Sequence, residues 1–128
     1  MSVPAAAPEV VVDGRVTVIA LGASYKVIDE LALEAGLGDC LLEIATEAVP
    51  PLVVLDMSKT QFFGSSFIEV LFRLWNRLQG RSGKFAICGL NSHCLDVLKI
   101  THLDSLWPLM ATREEAVAAL SDHPDHVA

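Results

Sequence analysis

Apolar and polar positions follow two rhythms along this chain, one of period two and one of period three to four. Residues 9–12 and 15–21 are β-branched runs on either side of Asp13-Gly14. Asp-Gly between two such runs predicts a tight hairpin, because its turn positions need positive φ. Residues 22–29 read as loop. Between residues 33 and 48, Leu33, Leu37, Leu41, Ile44 and Ala48 recur every three or four positions, the spacing of a helix face. Gly36 and Gly38 weaken its first turn, so the helix can begin as late as Leu37. Pro50-Pro51 then stops it.

The second half alternates more regularly. Residues 52–56 are a short apolar run ending in Asp56, of the kind that fills a strand covered on both faces. A loop closes with Phe62-Phe63-Gly64. A helix then opens near Ser65 or Ser66, with Phe67, Ile68, Leu71, Leu74, Trp75 and Leu78 as its stripe. Residues 81–83 form a turn and residues 84–88 another buried-type strand; Asn91 or Ser92 caps a helix reaching about Ile100. Residues 106–110 read as a strand, which Pro108 assigns to a sheet edge. Thr112 and Glu115 have capping-box spacing and open a last helix over residues 113–120. The order β-β-α-β-α-β-α-β-α predicts an α/β fold: one mixed, mostly parallel sheet of about five strands with helices packed on it. The domain is expected over residues 8–120, with tails at 1–7 and 121–128.

Composition narrows the function classes. The chain has 128 residues, enough to bury a core without metal or disulfides, and 52% of them are apolar. A net charge of −7 argues against a nucleic-acid surface and against docking on anionic membranes. Cys40, Cys88 and Cys94 form no CxxC pair and read as reduced thiols, and the start has neither a basic nor an apolar leader segment, so a cytoplasmic protein is expected. Cys88, His93, Cys94 and His102 fit no zinc-finger spacing, so no metal and no cofactor is expected. Glu69, Arg73 and Arg77 lie four apart and read as a solvated helix face with one ion pair. No phosphate-binding Gly loop, nucleophile elbow or paired-carboxylate motif occurs, which argues against an enzyme.

The informative segment runs from the strand ending in Asp56 to the serines at the helix mouth. Ser66 and Glu69 have capping-box spacing, which by itself accounts for both. Ser65 is not needed for that cap. Read as lying just outside the helix, its hydroxyl stands where unpaired N–H groups and the positive dipole end favour added negative charge, as a phosphoryl group would bring; the alternative is an ordinary loop serine. Asp56 is either a functional group at a strand's carboxyl end or a carboxylate that caps its own loop. Phe67 is either an exposed contact or a core ring.

These residues resemble the STAS domain family. The resemblance covers residues 51–120, most clearly in Val53-Val54-Leu55-Asp56-Met57-Ser58, in Phe62-Phe63-Gly64-Ser65-Ser66 and in Val70-Leu71. The strand Gly83-Lys84-Phe85-Ala86-Ile87-Cys88, then Val97-Leu98, Leu103-Asp104-Ser105-Leu106 and residues 114–120 match the family's later elements. The resemblance implies a non-enzymatic anti-sigma factor antagonist. Its partner is an anti-sigma factor with a GHKL-type serine kinase domain, which the unphosphorylated form binds and from which phosphorylation releases it. The matching phosphoacceptor is Ser65, with Asp56, Gly64, Ser66 and Phe67 as the partner-binding rim. Gly64 stands where the family usually has Asp, and Phe67 where it has Gly. That departure leaves open an alternative, a constitutive STAS scaffold that is not phosphorylated and assembles with itself or with other STAS subunits.

Overall fold

A computed structural model describes residues 8–121. The tails expected at 1–7 and 122–128 lie outside the described residues, while Ser121, assigned to the second tail, instead closes the last helix. Strands β1 (Glu9–Asp13) and β2 (Val16–Ala20) form an antiparallel hairpin. Asp13 pairs with Val16, so Gly14 and Arg15 are the turn residues, with Gly14 at φ +63°. The turn is displaced by one position from the Asp13-Gly14 expected, because Asp13 keeps its place in the ladder.

Residues 22–29 are not simple loop. A 3-10 turn (Ala23–Tyr25) leads into strand β3 (Val27–Ile28) and helix α1 (Glu30–Glu34), capped by Asp29, whose carboxylate accepts from Ala32 N–H at 3.1 Å. The predicted helix starts at Leu37 as α2 (Leu37–Glu47), and Gly36, at φ +110°, turns the chain between the two helices. Strand β4 (Leu52–Asp56), strand β5 (Phe62–Phe63), helix α3 (Ser65–Gln79), strand β6 (Lys84–Cys88), helix α4 (Ser92–Ile100), strand β7 (Leu109–Met110) and helix α5 (Arg113–Ser121) follow. The strand expected over residues 106–110 is shorter than its apolar run, because Trp107 turns into the core at 1% exposure and leaves two residues to pair.

The main sheet has the order β1-β2-β4-β6-β7, parallel throughout except for the hairpin. All five residues of β4 are buried, as expected for a central strand covered on both faces. Val53 and Leu55 face the larger core with α2, α3 and α4; Leu52 and Val54 face the smaller one with Ala116 and Leu120 of α5. At the α5 entrance Thr112 Oγ accepts from Glu115 N–H, and the Glu115 carboxylate reaches back to Ala111 N–H, so the predicted cap forms with a one-residue offset. The short strands β3 and β5 pair in parallel as a separate ribbon beside the amino-terminal end of α3.

Candidate functional site

The ribbon sets the geometry of the site. Val27 pairs with Phe62 and Ile28 with Phe63. Alternation sends Ile28 (0% exposed) and Phe63 (4%) into the core and leaves Val27 (50%) and Phe62 (45%) outside. The Lys26 carbonyl accepts from both Gln61 and Phe62 N–H, and the Ile28 carbonyl accepts from Gly64 N–H at 3.1 Å. Gly64 is therefore the last extended residue, and α3 begins at Ser65. Asn91, the cap of α4, donates to the Gln61 carbonyl at 3.1 Å and accepts from Cys94 N–H at 2.8 Å, tying the loop to a second helix.

Ser65 is exposed and is the first residue of the 15-residue helix α3, one step inside the position expected. No side chain caps that helix and its first turn holds no acidic residue. The predicted Ser66–Glu69 capping box does not form. With Gly64 as the N-cap, two positions before Ser66, Ser66 lies in the first turn, and its hydroxyl points to Glu30 of α1, at 3.5 Å from the carboxylate. Gly64, the N-cap, lies at φ −93° with open space where a Cβ would stand, so its backbone does not require glycine.

Phe67 belongs to the core. It is 0% exposed and packs on Phe63 with ring centroids 5.6 Å apart, so the expectation of a surface contact there is corrected: the third position of α3 faces inward. Asp56 is likewise corrected from rim to framework. It is 7% exposed; one carboxylate oxygen accepts from Ser58 N–H at 3.0 Å, and the other meets Arg113 of α5 at 2.8–2.9 Å. Burial alone would raise the Asp56 carboxyl, but the hydrogen bonds from Ser58 and Arg113 and the guanidinium charge outweigh it and hold the group below its ordinary value. The neighbouring Cys88 thiol is pushed up to about 12, first by burial and then by the Asp56 charge, which keeps it protonated.

Three residues border the α3 mouth that pattern alone did not select. His93 of α4, itself exposed, stacks on Phe62 with centroids 5.7 Å apart and planes at 23°. Val27 lies beside Phe62 in the ribbon, and Glu30 brings a carboxylate to Ser66. The available signal was Val27-Ile28 followed by Asp29, an alternating pair and then a cap residue. Among the described residues no group of three or more His, Cys, Asp or Glu is placed to hold a metal ion, and no helix is long and apolar enough to cross a membrane.

A model of the STAS domain family matches residues 8–116, most of the length just described. The chain belongs to the STAS domain family. Its mixed five-stranded sheet is the fold of solved STAS domains. An anti-sigma-factor antagonist (STAS) domain protein from Planctomyces limnophilus is 36% identical, with a TM-score of 0.84 over 91% of this chain and 99% of that one. SpoIIAA, a Bacillus cell fate determinant solved in its phosphorylated form, shares the fold at 19% identity, with a TM-score of 0.65 over 95% of this chain and 100% of its own. BtrV, a candidate anti-sigma factor antagonist of Bordetella bronchiseptica, is 30% identical over 67 residues, 52% of this chain and 58% of that protein. The matching segment thus spans little more than half of that relative. In this STAS domain the segment between β4 and α3 is held by backbone and side-chain bonds on both flanks and leads into the exposed Ser65 at the start of α3.

Proposed function

We propose that this STAS domain is an anti-sigma factor antagonist that docks its partner at the α3 mouth, and that phosphorylation of Ser65 breaks the complex. The observation that carries the reading is an exposed serine hydroxyl in the first turn of a 15-residue helix with no side-chain cap. A phosphoryl group there meets the positive end of the helix dipole, a favourable contact of about 0.3–1 kcal/mol, and adds nearly two negative charges to the surface. The exposed Val27, Phe62 and His93 beside it give a partner apolar area to bury. Aromatic side chains such as Phe62 are enriched in interfaces, and a dianion placed against such a contact must be desolvated or expelled. The solution of SpoIIAA in a phosphorylated form supports a modification of this kind on the fold.

The partner in this reading is an anti-sigma factor with a GHKL-type serine kinase domain, and the complex works in the cytoplasm without catalysis by the STAS chain. Binding of that partner should survive Ser65→Ala and fall with Ser65→Asp; equal affinity of the two variants would remove the switch. Incubation with the kinase and ATP should add one phosphate, which peptide mapping places on Ser65.

Gly64 favours the second reading, a constitutive scaffold. It leaves the helix mouth without the carboxylate that a residue such as Asp would supply, although the space for one is open. An intact mass unchanged after exposure to the active kinase, with partner binding retained, selects the scaffold.

A further inference from the structure

We propose that the outer edge of β1 is a second docking site, which takes an extended polypeptide strand with basic residues flanking an apolar core. Among the described residues β1 ends the main sheet on that side and pairs with β2 alone. A two-residue turn closes on a hydrogen-bonded pair, here Asp13 with Val16, and such pairs alternate along an antiparallel ladder. Glu9, Val11 and Asp13 therefore direct their main-chain groups to β2, while the N–H and C=O of Val10 and Val12 point outward. The pairing is one for one over all five residues, without a bulge, and neither Pro nor Lys interrupts the strand. Those are the devices that usually blunt a sheet edge.

The side chains at the same two positions open onto an apolar groove. Val11 packs against the α5 side of the sheet, so Val10 and Val12 face the side of α2. The helix leaves them uncovered: Val10 is 47% exposed and Val12 69%, and Val49, just past the end of α2, is 83% exposed. With Ile44 and Ala48 they line a groove of about 420 Å³, and Glu47 stands on its wall. A strand added to β1 would bond to the outward main-chain groups and lay alternate side chains into that groove. Its other side chains would lie beside Glu9, Val11 and Asp13.

Charge selects the occupant. Glu9, Asp13 and Glu47 border the edge and the groove, against Arg15 in the turn. Arg113 is near enough to Glu9 to feel its charge, but its guanidinium is bonded to Asp56 at 2.8–2.9 Å. That is the ion pair formed among the described residues; Arg15 makes none with Asp13, and the expected Glu69–Arg73 pair is not made. A second copy of this chain fits poorly. Antiparallel pairing centred on Val11 uses every outward group, yet it sets Glu9 of each copy opposite Asp13 of the other, like charges in direct opposition. Basic residues at those two places meet the acids instead. The occupant thus reads basic, apolar, any, apolar, basic, the same from either end. It needs no phosphate on Ser65, and the two proposals fail separately.

The test titrates a synthetic peptide with the core Lys-Val-Thr-Val-Lys and blocked ends into the isotope-labelled full chain, followed by NMR. Saturable shifts are expected at the Val10 and Val12 amides, with binding weakened as salt rises from about 0.05 M to about 0.15 M. The same peptide with Glu for both Lys should bind about tenfold more weakly, and Glu9→Lys should weaken the lysine peptide by about the same factor. Asp96→Lys, the same kind of charge change on α4, should stay within about twofold of the parent. Val12→Pro removes an outward N–H that β2 does not use and should abolish binding. A thermal melt checks its fold, and where it melts early Val12→Lys is read in its place, with at least a tenfold loss expected. The absence of saturable shifts at Val10 and Val12, or shifts confined to Val27, Phe62 and His93, overturns the site. Equal binding of the two peptides, or equal weakening by Asp96→Lys, overturns the basic assignment. A dimer in sedimentation that Val12→Pro or Val12→Lys dissolves gives the edge to a second copy and overturns the proposed occupant.

Discussion

Asp56 and Ser65 stand at the two ends of one loop, and the fold treats them in opposite ways. Asp56 is 7% exposed with both carboxylate oxygens engaged, one by the loop and one by Arg113. Ser65 is exposed at a helix start that no side chain caps. Both are polar residues between the same strand and the same helix, and both are conspicuous in the sequence. The difference is commitment: a polar group that already has its partners maintains the framework, and one left without them is available to something outside.

The largest expected effect tests whether the framework lies directly beneath the mouth. Phe67→Ala should cost about 3–5 kcal/mol in urea unfolding, whereas Ser65→Ala, two positions earlier, should stay within about 0.5 kcal/mol. Similar costs at the two would erase the distinction. Next in size, Asp56→Ala leaves Arg113 and the Ser58 N–H without their acceptor. It should cost about 1–3 kcal/mol while the folded protein binds its partner as before; a selective loss of binding with stability intact would return Asp56 to the docking surface.

The same ion pair gives a pH test. The Asp56 carboxyl is held below its unfolded value, so the unfolded chain takes up a proton first as pH falls. The stability from this group is complete above the unfolded pKa of about 3.9 and is lost as pH falls through the lower folded one. Arg113→Met removes two of the stabilising contributions and should move that loss to higher pH, read from urea midpoints between neutral and acid conditions. Coincident profiles would show that Ser58 alone holds the carboxylate. Smallest of all, Gly64→Asp should add a few tenths of a kcal/mol, since the N-cap geometry and the space for a carboxylate already exist. A destabilised variant would mean that the mouth requires glycine.

The four longer helices, α2 to α5, were legible because each buries a periodic stripe; the first hairpin was legible from Asp-Gly between two β-branched runs, and a central strand such as β4 announces itself by an unbroken apolar run. What escaped were elements too short to show a period. Strands β3 and β5 have two residues each, and α1 has five with none buried. The two strands build the ribbon that makes Gly64 the last extended residue, so α3 opens at Ser65, the earlier of the two positions expected, and the Ser66–Glu69 cap was misjudged. Ser65 could be selected from its position beside a helix entrance. Val27 and His93 could not, because they reach the site through a ribbon pairing and an aromatic stack between segments distant in sequence.

The ribbon joins its two strands through main-chain bonds, with the Lys26 carbonyl taking both Gln61 and Phe62 N–H. Its outward side chains at 27 and 62 contribute little to holding it, so they can be exchanged without reshaping the loop beneath. If the proposed docking at the α3 mouth holds, exchanging those two side chains would alter which surface fits there while the architecture stays constant.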